Sequence, residues 1–465
     1  MKSSLALQKR IVTGYICLSV LIIIYVVWRS TSISFTHDES LSYTLLTGNP
    51  LQKYTANNHW LNTIFMYIFS RIFGYSELAL RLPNILALVM YLLFIYLILK
   101  QFCANAWSFV IAVPFLLMNP FILDFFGIAR GYGLGVGFFT GALYYFLVFF
   151  HKTQSVKHLA LLVLFSVCCI YANYAFLIAL FSVHCAIFIA FLKIHQKHWK
   201  KLLVFYAIEA VLLIPAILNV LLLSKNNELY AGGDNSVYED TIKSIFLYSF
   251  DNPVYNFATI MLYLLAFLTL IGLFFYKNKA LIFTLIAIGM LILIPYVLHK
   301  LMDLGYPKDR AALYWMVILG ISVLFLGDNI LVNLRKNKIV FLPLLVIVAL
   351  QGVVFANFFY NMNVKYTKIW KYDCDVETAL EQIAQKTDHS KKYTLGINWA
   401  IEPSINYYIQ TKKMNWLNPV TRDGVKGKYD FYLFFPEDFN SLDSTKREKI
   451  HYYPKSQMYL SKAVK

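Results

Sequence analysis

Asp38 and Glu39, in the run Ser34-Phe35-Thr36-His37-Asp38-Glu39-Ser40, are the residues of this sequence best suited to acid–base work. A carboxylate can take the proton of a hydroxyl while that hydroxyl attacks an electrophilic carbon. The plainer reading is the start of a solvated helix, capped by Ser34 or Thr36. Three more polar clusters stand at the ends of apolar runs. Asn58-His59 precedes a short apolar stretch, and Arg81 opens a long one in Leu80-Arg81-Leu82-Pro83. A lone His is more often a hydrogen-bonded surface residue, and a lone Arg at a membrane face can snorkel. Asp124 and Arg130 flank Gly127 just ahead of Tyr132, where a mutual salt bridge could be their whole role. Lys308 and Arg310 bring two cations to the head of a late apolar run, and a phosphate is the ligand that converging cations suit. Attraction to lipid headgroups is the alternative there. Four such clusters, one acidic and two cationic, are better explained by a shared site if one membrane face holds them all.

The elements that must position them are membrane helices. The chain of 465 residues is 59% hydrophobic with a mean hydropathy of +0.58, and its apolar runs reach the roughly 18–20 residues that cross a bilayer core. The formal charge of +17 comes from basic residues that punctuate apolar runs without forming a stripe, which argues against nucleic acid as a partner. Of six cysteines, five lie in or beside apolar runs and Cys374 stands in the polar tail, so neither a disulfide framework nor a metal motif follows. The first run has no small-residue cleavage site after it and is expected to be a retained anchor.

About eleven membrane helices fit the pattern, at roughly 11–28, 81–99, 105–120, 132–150, 157–172, 175–192, 202–223, 255–275, 280–298, 312–329 and 339–357. Alternate connections are basic and face the cytoplasm, which puts all four polar clusters on the outer face. Trp60 to Phe73 is too short to span and is expected to be an interfacial or re-entrant helix, capped by Asn58 and closed by Gly74. Gly232-Gly233 reads as a hinge before an amphipathic helix at Tyr238 to Phe250. After the last span, charges of both signs and turn signals return. A helix at Asp375 to Thr387 and strands at Lys392 to Ile397, Tyr429 to Phe435 and Gln457 to Leu460 suggest a small soluble α/β domain. The expected fold class is thus an all-α polytopic membrane domain over about residues 1–358, with a large first outer loop, and an extracytoplasmic α/β domain over about 359–465.

These residues resemble the C-type membrane glycosyltransferase (GT-C) superfamily, above all its branch of protein O-mannosyltransferases and lipid A aminoarabinose transferases. In that branch an Asp-Glu pair follows the first membrane helix, as Asp38-Glu39 does here. A His-containing turn, a Gly-x-x-Glu spacer and Arg-Leu-Pro follow, matched by Asn58-His59, Gly74-Tyr75-Ser76-Glu77 and Arg81-Leu82-Pro83. Ala-Arg-x-Tyr is matched by Ala129-Arg130-Gly131-Tyr132, and a late outer Arg by Arg310. The motifs cover about residues 10–150, and the later helices match by topology alone. Two features depart from the pattern: Trp60-Leu61 replaces the usual Pro-Pro, and Ile128 stands where the family often has Glu. Asp124 is the substitute for that second acidic residue.

The resemblance implies a hexosyl- or pentosyltransferase that moves a sugar from a polyprenyl-phosphate donor to a lipid, glycan or protein acceptor at the outer face of the cytoplasmic membrane. Asp38 would be the general base of an inverting displacement, and Glu39 its orienter or a binder of sugar hydroxyls. Arg310, Lys308, Arg130, Arg81 and His59 would hold the donor and its phosphate, with Asp124, Tyr132 and Asn58 as further sugar contacts. No cofactor is expected. One Asp-Glu pair offers too few oxygens for a hard cation, so activity should survive a chelator. A flippase of lipid-linked glycans, or a glycan polymerase or ligase, is the competing class; a transporter should carry ionisable residues in mid-span, and only His184 and Glu209 stand there. If the tail is extracytoplasmic, an impermeant thiol reagent should label Cys374 in intact cells. Labelling only after permeabilisation would put the tail inside and separate it from the outer face.

Overall fold

A computed structural model of the protein describes residues 2–464 apart from 49–54, 153–154, 195–198, 227, 229–231, 251–262, 264, 268–269, 271–277, 334–340 and 443–446. The helices among them are α1 (Lys2–Ser32), α2 (His37–Leu46), α3 (Trp60–Phe73), α4 (Glu77–Phe102), α5 (Ser108–Leu117), α6 (Pro120–Phe126), α7 (Gly131–His151), α8 (Val156–Ala172), α9 (Phe176–Ile194), α10 (Trp199–Lys225), α11 (Ser244–Ser249), α12 (Lys279–Met302), α13 (Tyr314–Asn333), α14 (Phe341–Asn361), α15 (Val376–Gln385) and α16 (Glu402–Thr411). Seven of the described helices are long and apolar enough to cross a membrane: α1, α4, α7, α10, α12, α13 with the turn before it, and α14. The bent pair α5–α6 and the shorter apolar α8 and α9 account for three more of the eleven expected spans. The remaining one, at 255–275, falls almost wholly outside the described residues.

The α5–α6 bend of 67° has a local cause. Asn119 accepts the N–H groups of Phe121 and Ile122 at 3.0 and 3.2 Å, and Pro120, which has no N–H, starts the new helix. The short α6 then delivers Asp124 and, beyond Gly127, Arg130. Helix α3 is closed by Gly74 at φ +78, where a side chain would be strained. Its polar side is the buried one: Asn62, Met66 and Ser70 face inward while Ile64, Ile68 and Ile72 are exposed. That inversion suits a helix facing lipid outside and a polar network inside. Asn62 donates to the Ala129 carbonyl and accepts from Asn84, which in turn accepts the Leu134 N–H. The expected cap is corrected, because the N-cap position is His59 and the Asn58 side chain instead accepts from the Thr63 hydroxyl at 3.1 Å.

The carboxy-terminal stretch holds a four-stranded sheet of β1 (Leu395–Ile397), β2 (Phe431–Phe434), β3 (Arg447–Tyr453) and β4 (Met458–Ala463), in the order β1-β2-β4-β3. Strand β1 is parallel to β2 and the other pairs are antiparallel. Strand β3, which sequence reading passed over, is a charged edge strand with a bulge at Lys449/His451. The core beneath this sheet is shared with the connection between α1 and α4, the start of α4 and the turn before α7. Phe35, Tyr43, Met66, Leu80 and Ala129 pack in one cluster with Val376, Leu380, Ile405 and Tyr408. Between α10 and α12, residues Val237–Lys243 form a π-helix that runs into α11, where a plain amphipathic helix was expected.

Cys374 is half-buried with its thiol 3.4 Å from Asp375 Oδ2, and burial with that carboxylate pushes the thiol up to about 12. A thiol so held reacts poorly. Lys391, its side chain 72% exposed, is the better place for a reporter: Lys391→Cys should be labelled from outside under the topology expected from the sequence, and labelling confined to permeabilised cells would invert it.

Candidate active site

Glu39 and Arg81 form the framework. Thr36 caps α2 in a capping box: its hydroxyl accepts the Glu39 N–H at 3.5 Å, and Glu39 Oε2 accepts the Thr36 N–H at 3.0 Å. Arg81 meets the same carboxylate with two parallel bonds of 2.8 Å, and the Ala129 N–H adds a fourth at 2.6 Å. The other three N–H groups of Arg81 go to the carbonyls of Ser30, Ile33 and Ser34. Both side chains are fully buried. Every donor of Arg81 and both oxygens of Glu39 are thereby used, which corrects the ligand roles expected of these two. They tie the end of α1, the start of α2, α4 and the Ala129-Arg130 turn into one node.

Asp38 is the other case. Its Oδ2 lies 3.5 Å from Arg130 Nη2 and 3.3 Å from Arg310 Nη1, yet has no hydrogen-bond partner among the described residues. Burial works to raise its pKa, and the charges of Arg130, Arg310 and His37, with a hydrogen bond from the Trp370 indole, outweigh it and hold the carboxyl below its ordinary range. It is therefore ionised at neutral pH.

Arg130 is buried, and its guanidinium is committed to the Asp38 carbonyl, Ser42 Oγ and the Asn57 carbonyl and side chain at 2.9–3.2 Å. Its Nε has no partner among the described residues. Arg310 differs, with its side chain 33% exposed. It lies over the rings of Trp370 at 5.1 Å and Tyr132 at 5.9 Å, an aromatic flank that fixes a cation while its Nη1 faces Asp38. His59 stands edge-on to Tyr132 at 5.3 Å, buried, with Nε2 unpaired among the described residues. Burial first, then the charges of Arg130 and Arg310, push its pKa well below the usual value, so it is a neutral imidazole. Gly131 makes this closeness possible, since a Cβ there would fall 2.9 Å from His59 Cβ and 1.8 Å from the Ala172 carbonyl oxygen.

The structure thus brings Asp38, His59, Arg130, Tyr132 and Arg310 together. Asp124 belongs elsewhere: its Oδ1 pairs with Arg29 at 2.5 Å and its Oδ2 accepts the Lys368 N–H at 3.0 Å, so the expected pairing with Arg130 is replaced. Lys308 is exposed, with its charge felt by Asp309, and the Asn58 side chain, two residues ahead of α3, is bonded to Thr63. Sequence reasoning missed Arg29, which lies one residue past the first expected span, and Trp370, which lies far along the chain with no motif around it. In sum, the site holds one ionised carboxylate with a free lone pair, two guanidiniums of which one is reachable from outside, and a neutral imidazole. It can hold an anion and accept a proton a few ångströms away.

No protein-family model matches the sequence, and no curated sequence matches it either. Solved structures do. The crystal structure of ArnT from Cupriavidus metallidurans in the apo state superposes with a TM-score of 0.56 over 97% of this chain and 98% of that one, at 12% identity. ArnT bound to undecaprenyl phosphate gives 0.49 over the same shares at 12% identity. The archaeal oligosaccharyltransferase AglB from Archaeoglobus fulgidus, in complex with an inhibitory peptide and a dolichol-phosphate, gives 0.45 over 91% and 70% at 12% identity. The first of these settles the architecture: the chain has an ArnT-like polytopic fold, the GT-C fold that the motifs led us to expect.

Removing one partner of a buried, saturated ion pair strands the other, at a cost of about 3–5 kcal/mol. Glu39→Ala should therefore lower thermal stability sharply in detergent, whereas Asp38→Asn, which loses only the longer ion pairs of 3.5 and 3.3 Å to Arg130 and Arg310 and keeps an amide in their place, should lower it less. Equal melting temperatures for Glu39→Ala and the parent would remove Glu39 from the framework.

Proposed function

We propose that the protein is a membrane glycosyltransferase that moves a sugar from a polyprenyl-phosphate donor to an acceptor hydroxyl on the outer face of the cytoplasmic membrane. The observation that carries the reading is the Asp38 carboxylate held between two guanidiniums, its Oδ2 without a hydrogen bond among the described residues and 3.3 Å from the part-exposed Arg310. Residues 1–358 would form the membrane part and 359–465 an extracytoplasmic part, with the amino terminus in the cytoplasm. The ArnT-like fold supports a membrane setting for this chemistry. The competing transport reading needs free ionisable groups in mid-span, and His184 and Glu209 face each other at 3.7 Å.

In the proposed step the acceptor oxygen attacks the anomeric carbon and Asp38 takes its proton. The bond between that carbon and the phosphate oxygen breaks, and the electron pair leaves on the phosphate. Arg310 stabilises the developing charge, and Arg130 adds to the field from behind. A single displacement inverts the anomeric carbon. Arg310 links the two halves of the reaction. When the donor phosphate draws its guanidinium away, Asp38 loses one of the charges that hold its pKa down and becomes a stronger base only with donor in place. Asp38 facing two guanidiniums also disfavours a divalent cation, so none is assigned.

Asp38→Asn should cut turnover by about 10²- to 10⁴-fold while polyprenyl-phosphate binding is largely kept. Arg310→Ala should weaken binding and turnover together. Because the Asp38 pKa is depressed and rises when donor binds, the acid limb of kcat should lie at higher pH than that of kcat/KM. Purified protein with labelled donor measures all three. Near-normal transfer by a folded, donor-binding Asp38→Asn protein would take Asp38 out of the chemistry.

A further inference from the structure

The turn that carries Asp38 is held from the far end of the chain. Ser34 Oγ donates to the Cys374 carbonyl at 3.0 Å, the Phe35 N–H donates to the Tyr408 hydroxyl at 2.7 Å, and the His37 N–H donates to Asp373 Oδ2 at 2.7 Å. His37 is the first residue of α2, and its N–H is among the orphan donors of a helix start. Thr36 satisfies the Glu39 N–H, and Asp373, 336 residues along the chain, satisfies that of His37. Asp373 is fully buried, and its other oxygen accepts from Ser404 at 3.1 Å. Tyr408 is buried as well, and its hydroxyl donates to the Glu77 carboxylate at the start of α4. A residue just before Asp373 reaches the site too, since Trp370 flanks Arg310.

We infer that Asp373 and Tyr408 are positioning residues for Asp38: by fixing Phe35 and His37 they set the carboxylate between Arg130 and Arg310, which makes the carboxy-terminal segment a working part of the same site. The inference rests on the glycosyl-transfer reading. The physical stake is geometric, because a misplacement of about 1 Å at a reacting group can cost on the order of 10²-fold in rate. Burial drives the Asp373 carboxyl well above its ordinary range, against the His37 and Ser404 hydrogen bonds, and the nearby Asp38 and Glu39 charges push the same way. Both oxygens of Asp373 accept hydrogen bonds, and its part is that of an acceptor for the His37 N–H. An amide can replace it.

The test compares Asp373→Ala, Asp373→Asn and Tyr408→Phe with the parent protein in detergent. Melting temperature, affinity for undecaprenyl phosphate and sugar release from a labelled polyprenyl-phosphate donor are measured for each. Asp373→Ala should lose about 10- to 100-fold in kcat with its undecaprenyl-phosphate affinity within about twofold, because Arg310 is untouched. Asp373→Asn should regain most of that loss, since its amide oxygen can accept from His37 and its NH₂ can donate to Ser404. Tyr408→Phe removes one oxygen and should lower kcat in the same sense, which keeps the test open if Asp373→Ala does not fold. Parent-like kcat in both Asp373→Ala and Tyr408→Phe overturns the inference. So does a loss shared equally by melting temperature and lipid affinity and not restored in Asp373→Asn, which would mean scaffolding alone. A parent protein that releases no sugar refutes the functional reading and takes this inference with it, whereas an active parent matched by active variants refutes this inference only.

Discussion

A guanidinium and a carboxylate that leave water together must find every hydrogen bond inside the protein, and Arg81 and Glu39 do so completely. Their bonds run to the end of α1, the cap of α2 and the turn before α7, three segments that sequence distance would leave independent. Such a node is costly to form and costlier to half-break. Its consequence is placement: with α2 pinned at Glu39, the preceding residue Asp38 must point the other way, toward Arg130 and Arg310. Adjacent residues on a helix start lie on different faces, so one acid is sealed in the framework and its neighbour opens to the site.

Charge is balanced pair by pair around this node and left unbalanced at one place. Glu39 answers Arg81, and Asp124 answers Arg29. Asp38 faces two guanidiniums alone, and the more exposed of them, Arg310, lies against two aromatic rings. A surplus cation beside a carboxylate is an arrangement that suits the transfer proposed above. Neither charge could be moved far without emptying the other of its effect. The loop above them is fastened as well: the Asp309 N–H donates to Ser244 Oγ, and Gly233 pairs with Tyr306.

Much of this was legible in the sequence because hydropathy and basic punctuation carry the span pattern, and because Asp38, Arg130 and Arg310 each follow or head an apolar run. The short helix at Trp60–Phe73 could be read from its length, and Gly74 from the need for positive φ. The division of labour between Asp38 and Glu39 could not, since both look alike until the capping box and Arg81 are seen. Asp124 misled for a similar reason, because its partner Arg29 lies back in α1, with α2 to α5 between them along the chain, and looks like an interfacial charge. Trp370, Asp373 and Tyr408 sit among ordinary turns and helices, and the contacts that Asp373 and Tyr408 make with the turn between α1 and α2 span more than 300 residues. Long-range hydrogen bonds of this kind leave no local pattern.

The account depends on the outer cluster acting on a lipid-phosphate sugar. The most direct measurement is whether purified protein in detergent, given a labelled polyprenyl-phosphate sugar, releases free polyprenyl phosphate in step with loss of the sugar. The site predicts release that saturates with donor and keeps sugar and phosphate stoichiometric, one for one. Donor that binds and is recovered intact across all acceptors offered would contradict the reading and return the protein to transport.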